Sequence, residues 1–166
     1  MKRIILQVII LLLIVHMLPA QATREQKIRV LDFKQLEPLL HLKSDTVYLV
    51  NFWATWCAPC VKELPAIMAV EKKYAGEKFK VLLVSLDMPT QVNSRLTPFM
   101  RSHKITSQVV LLDDPDQNSW IEKTDKRWSG EIPFTIVYGK DFRESYTEAF
   151  SYHTLDSIIN RKIKMP

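Results

Sequence analysis

Cysteine and glycine are scarce in this chain: two and three residues out of 166. Cys57 and Cys60 are only two residues apart, so no disulfide framework is available. A structural cross-link gains most by closing a long loop, and this one closes almost nothing. The pair reads instead as a redox couple or as part of a metal site. Zinc needs about four ligands. There is no second cysteine pair, and His41, His103 and His153 are dispersed without ligand spacing. That favours redox chemistry with no metal and no cofactor. Strong charge is lacking too. The formal net charge is +5, and two of those charges are Lys2 and Arg3. The remaining bases are scattered, with Lys123, Lys126 and Arg127 interrupted by Asp125. This is a solvated face, not the footprint of a nucleic-acid binder. Internal repeats and low-complexity segments are absent.

What is present is an ordinary globular composition, 47% hydrophobic and 25% charged. The length suits one domain that buries a core without staples. The N-terminus stands apart. Lys2 and Arg3 precede an apolar run over residues 4–15, broken only by Gln7, and Ala20-Gln21-Ala22 follows as a small-x-small site. In this order they form a secretory signal peptide over residues 1–22. The run is shorter than the roughly 20 residues of a membrane span. The expected domain is therefore 23–166, exported to a periplasm-like compartment where disulfides form. The alternative is an uncleaved segment that anchors the protein to the membrane. No cysteine near the cleavage site supports a lipid anchor.

Strand and helix signals alternate along the domain, which predicts an α/β fold. Strands are expected over residues 47–52, 79–86, 109–112, 134–138 and 142–147, with a further short one over 29–31. Helices are expected over 60–74, 91–103 with a kink at Pro98, 116–128 and 154–163. Pro38 argues against one continuous helix over 33–42. Gly139-Lys140-Asp141 reads as a hairpin turn.

The chemistry concentrates in Asn51-Phe52-Trp53-Ala54-Thr55-Trp56-Cys57-Ala58-Pro59-Cys60. A strand runs into a turn that opens a helix, with Cys57 at the helix N-terminus. The positive end of the helix dipole favours a thiolate there. Pro59 suits the first helical position, where its missing N–H costs nothing. Cys60 follows one turn later on the same side. Exchange needs one accessible attacking thiolate and one shielded thiol that resolves the mixed disulfide.

This segment resembles the active-site signature of the thioredoxin superfamily. Its continuation Val61-Lys62-Glu63-Leu64-Pro65 gives C-x-P-C-x-x-E-x-P, similar to the exported TlpA/ResA-type oxidoreductases. The resemblance implies a thioredoxin fold: a central mixed sheet flanked by helices, over roughly residues 28–163. It also implies a cis proline beside the disulfide. Gly130-Glu131-Ile132-Pro133, followed by Phe134-Thr135-Ile136-Val137, occupies that position, with Ile132 presenting its backbone to a client peptide. The long interval from Asp87 to Pro133 matches the helix–strand insertion of the TlpA/ResA group. Trp56, Pro59, Ile132 and Pro133 are the expected client contacts. Phe52 and Trp53 are assigned to the core. Two departures stand out. Asn51 occupies the place where thioredoxin has a buried Asp, so Glu63 becomes the candidate acid that tunes the thiols. Phe134 is bulkier than the small residues common after the proline.

With two cysteines there is no internal electron relay. A separate partner must recycle the site; in the resembling group it is often a membrane thiol carrier, and roles there include reducing cytochrome c precursors. Two alternatives compete with reduction of protein disulfides. A thiol peroxidase would need the frame P-x-x-x-[ST]-x-x-C, where this chain has Val50 and Ala54. Copper delivery through Cys57 and Cys60 suits soft thiolates, although copper-delivery relatives of the fold space the cysteines one residue wider and add a distant His.

Overall fold

The computed structural model of the protein describes residues 27–164. The expected signal peptide lies outside the described residues. Six strands form a single sheet: β1 (Arg29–Leu31), β2 (Val47–Trp53), β3 (Phe79–Ser85), β4 (Gln108–Leu112), β5 (Phe134–Tyr138) and β6 (Arg143–Tyr146). Their order is β1-β4-β3-β2-β5-β6. β1, β4, β3 and β2 run parallel, and β5 and β6 complete the sheet by antiparallel pairing. Five α-helices accompany them among the described residues: α1 (Phe33–Leu36), α2 (Ala58–Lys73), α3 (Thr97–Ser102), α4 (Gln117–Thr124) and α5 (Tyr152–Ile163). The sheet is mixed and carries helices on both faces, as the thioredoxin-like reading expects.

β2 shows how sequence becomes layers. Strand side chains alternate between faces. Val47, Leu49 and Trp53 pack with Leu64, Ile67 and Val70 of α2 and with Leu155, Ile158 and Ile159 of α5. Val50 and Phe52 pack on the other face with Phe33 and Leu36 of α1 and Trp120 of α4. Both faces are covered, so the strand reads as a nearly continuous apolar run. Asn51 is its one polar interruption, and by alternation it belongs to the α2 face.

The expected insertion is present. α3, β4 and α4 fill the interval before the cis-proline loop, and β4 lies between β3 and β1. Its helices depart from the sequence reading. The expected kinked helix over 91–103 is instead a 3₁₀ turn (Pro89–Gln91), a π turn (Val92–Leu96) and then α3. Pro98 lacks the N–H for an interior helical bond, so it sits in the first turn of α3 and the chain before it changes its winding. The helix expected over 116–128 ends at Thr124. Asp125 is extended, and Trp128 turns back to stack on Phe134 with ring centroids 4.3 Å apart. Burying that indole outweighs another helical turn. α5 starts two residues early because Ser151 caps it, accepting the Thr154 N–H at 3.2 Å. Pro38 does end the α-helical segment after α1, in a 3₁₀ turn (Glu37–Leu40).

Candidate active site

β2 ends at Trp53, three residues turn, and α2 begins at Ala58 with Cys57 as its N-cap. Cys57 has extended backbone, and its Sγ accepts the Cys60 N–H at 3.3 Å. The turn is closed by the Cys57 N–H donating to the Ala54 carbonyl at 3.1 Å. Pro59 takes the second helical position, one later than expected, because the helix opens at Ala58. The reasoning still applies, since the first four N–H groups of a helix have no partner within it.

Cys57 and Cys60 are joined as a disulfide, with Cα atoms 5.3 Å apart. Cys57 keeps 6% exposure and Cys60 none. One turn of helix thus separates a cysteine at the edge of the core from one sealed inside it. Cys57 Sγ also lies 3.7 Å from the Ile132 carbonyl oxygen, and the Ile132–Pro133 peptide is cis. The structure therefore brings Cys57, Cys60, Ile132 and Pro133 together.

Trp56 is 57% exposed beside the disulfide. Phe52 and Trp53 are fully buried, in line with their core assignment. Phe134 does not crowd the client side. It faces the opposite core, stacked on Trp128 and tilted against Phe52. The Trp128 indole N–H donates to the Glu131 carbonyl at 2.7 Å, which ties the cis-proline loop to that aromatic cluster. Gly130 supports the same loop. Its φ is +97°, and an added Cβ would sit 3.0 Å from the Ile121 side chain. A residue with a side chain is strained there.

Glu63 is 1% exposed, deep under the disulfide helix. Its Oε1 accepts from Asn51 Nδ2 at 2.8 Å and its Oε2 from the Phe150 backbone N–H at 2.9 Å. Burial raises its pKa above the ordinary glutamate value, and these two donors only partly oppose the rise. Asn51 Nδ2 also donates to Thr135 Oγ1 at 2.9 Å.

Sequence reasoning missed three participants. Thr135 and the Phe150 amide complete the Glu63 cluster. Thr135 was legible in part, since it alternates with Val137 toward the α2 face. Asp87 accepts from the Thr55 N–H at 3.1 Å, the Thr55 hydroxyl at 2.6 Å and the Ser85 hydroxyl at 2.8 Å, and so holds the turn that carries Trp56 and Cys57. Met88 follows it and is 64% exposed. Its Ser85 contact is local, but nothing near Asp87 in the sequence announces Thr55, which comes from the turn after β2.

The comparisons with known proteins agree with this geometry. The chain is 30% identical over 63 residues to a sporulation thiol-disulfide oxidoreductase A of Bacillus subtilis, covering 38% of each protein. The match thus spans well under half of that relative. A thioredoxin-related protein from Neisseria meningitidis serogroup B superposes with a TM-score of 0.61 at 25% identity, over 76% of this chain and 91% of that one. A secreted thiol-disulfide isomerase from Corynebacterium glutamicum superposes with a TM-score of 0.61 at 17% identity, over 74% and 73%. Residues 26–143 match the AhpC/TSA family, most of the chain, and the protein therefore belongs to the AhpC/TSA family, built on a thioredoxin-like fold.

Proposed function

We propose that this protein is an exported thiol–disulfide oxidoreductase that reduces disulfides of client proteins. One observation carries the reading: the Cys57–Cys60 disulfide sits at a helix N-terminus, with Cys57 beside the Ile132 carbonyl and slightly exposed while Cys60 is sealed. In the dithiol form the helix dipole and the Cys60 N–H stabilise a Cys57 thiolate. That thiolate attacks one sulfur of the client disulfide. The client S–S bond breaks, its other sulfur leaves as a thiolate and is protonated, and a mixed disulfide joins Cys57 to the client. Cys60 then gives its proton to Glu63 and attacks Cys57 Sγ. The mixed disulfide breaks, and the client's second sulfur departs as a thiolate that water protonates. Two electrons have moved from the Cys57–Cys60 dithiol to the client.

Ile132 and Pro133 offer backbone to an extended client segment in the manner of strand addition, while Trp56 and Pro59 flank the sulfurs. Glu63 suits the role of acid–base partner because it is buried and holds its proton more tightly than a free carboxyl. Recycling requires a separate reductant, such as a membrane thiol carrier, since the chain has no third cysteine. Export rests on the N-terminal sequence pattern, and the Corynebacterium neighbour is described as secreted.

A peroxidase reading finds less support. Ala54 stands where a peroxidase needs a hydroxyl, and the neighbouring Thr55 hydroxyl is engaged by Asp87. Insulin reduction by the dithiol form tests the proposal, run beside an anaerobic Cu(I) titration. Turnover that depends on Cys57 supports it. Tight copper binding without turnover would replace it with copper delivery.

A further inference from the structure

Beneath the disulfide, polar side chains from three elements meet away from water. Asn51 of β2 and Thr135 of β5 are 0% exposed, and Glu63 of α2 is 1% exposed. The sheet puts them there. Asn51 and Thr135 are paired in register across the two strands, and both lie on the face covered by α2. Both protons of the Asn51 amide are committed, one to Glu63 Oε1 at 2.8 Å and one to Thr135 Oγ1 at 2.9 Å. Its carbonyl oxygen, Oδ1, is buried with no partner. Leaving a buried acceptor unpaired is unfavourable, so this orientation needs a reason. An ionised Glu63 supplies one, because a carboxylate accepts at both oxygens and donates from neither.

The arrangement changes if Glu63 takes up a proton. A hydrogen on Oε1 would point at an Asn51 N–H, donor against donor. A half-turn of the amide about χ2 relieves this. Oδ1 then faces Glu63 and accepts its O–H. Thr135 can follow, because a hydroxyl both donates and accepts. We propose that Asn51 is a positioning residue that turns over with the protonation of Glu63, with Thr135 reversing from acceptor to donor, so that the cluster serves both states of the acid. This rests on the reading of Glu63 as the acceptor of the Cys60 proton: the proton leaves Cys60 Sγ, ends on Glu63 Oε1, and no other bond changes in that step. The groups bonded to Glu63 are Asn51 from β2 and the Phe150 backbone N–H from the segment before α5; Thr135 of β5 is reached through Asn51, and Cys60 precedes Glu63 by one turn on α2. Burial and the two amides govern its ionisation.

The test uses the full oxidised protein, where no thiol titrates and activity plays no part. The Glu63 carboxyl carbon is followed by NMR against pH, together with the Asn51 side-chain amide and its NOE to the Thr135 side chain. The expected result is an NOE present above the Glu63 midpoint and lost below it, with the amide shifts changing at that same midpoint. An NOE and amide shifts that persist unchanged through the Glu63 titration would make Asn51 a fixed donor and overturn the proposal. Asn51→Leu provides a second readout. It removes both the donor to the ionised acid and the acceptor for the protonated one, so the Glu63 midpoint should move by less than about one pH unit, tenfold in its ionisation constant. A rise of a full unit or more would mark Asn51 as a donor only and overturn the proposal. Failure of the underlying reading is seen separately, as unchanged pH dependence of insulin reduction in Glu63→Gln.

Discussion

Asp87 accepts both the backbone N–H and the hydroxyl of Thr55, at 3.1 and 2.6 Å. Thr55 lies between the end of β2 and Cys57, so this contact fixes the turn that carries Cys57. Ser85 Oγ donates to the same carboxyl group and accepts the Asp87 N–H. Asp87→Asn replaces one acceptor oxygen by a donor that faces other donors. The expected loss is about 1–3 kcal/mol of stability, the usual cost of unpairing buried polar groups, with slower exchange because the turn is no longer held. Thr55→Ser keeps both donors and should stay near the parent, whereas Thr55→Val should fall between the two. Denaturation midpoints and insulin-reduction rates of the three variants check this. Equal stability of Asp87→Asn and the parent would remove Asp87 from the site.

The proposed function gives Cys57 and Cys60 separate roles. Cys57→Ser should abolish exchange. Cys60→Ser should keep the attack but lose the resolving step, and so accumulate mixed disulfides with clients. The asymmetry of 6% against 0% exposure is the basis. Non-reducing gels of each variant incubated with an oxidised client give the answer. Equal trapping by both variants would mean that nucleophile and resolver have been misassigned.

The mature protein should begin near Thr23. An apolar run shorter than a membrane span, followed by Ala20-Gln21-Ala22, is the basis. N-terminal sequencing of protein from the exported fraction decides it. An intact N-terminus in the membrane fraction would mean a tethered enzyme with the same active site.

The sequence made the fold and the disulfide legible because their signals are local. β2, β3 and β5 are runs of strand formers, and the strand–turn–helix grammar around Cys57 reads directly. The failures also have local causes. The helix expected over 116–128 was overridden by the burial of Trp128 against Phe134, a tertiary gain invisible to periodicity. At Pro98, the missing N–H rewound the chain before α3 instead of kinking a longer helix. In the site, Glu63 was found through its spacing from Cys60, because one helix carries both. Asn51 was noted only as a missing acid, although alternation along β2 already turned it toward α2. Thr135, the Phe150 amide and Asp87 join through pairings between distant segments, which a linear reading does not supply.

Glu63 offers the strictest test, because its burial makes a signed prediction for stability as well as for rate. Its pKa is raised by burial above the ordinary value of 4.5, with the Phe150 and Asn51 donors opposing. The folded protein therefore holds this proton more tightly than the unfolded chain does. The stabilising contribution is fully present below the unfolded value and is lost as pH rises through the folded one. Glu63→Gln removes that dependence. It also adds a contribution that does not vary with pH, because the new amide N–H₂ faces either the Phe150 N–H, which cannot reverse, or the Asn51 amide, which must then turn over to accept it. The absolute stability of the variant is thus a poor guide, and the slope is the measurement. Denaturation midpoints of the oxidised proteins, taken from about pH 4 to about pH 8, should show the difference between variant and parent moving steadily in favour of the variant. Parallel curves would mean that Glu63 titrates alike in the folded and unfolded chains. In the dithiol form the same substitution should slow the resolving step, by on the order of 10²-fold if Glu63 is the general base and by less if it only tunes the thiols. Single-turnover release of client from the Cys57 mixed disulfide, followed against pH, separates the two cases. A base leaves a titration in the parent that is missing from the variant, whereas a tuning group shifts the profile without removing it.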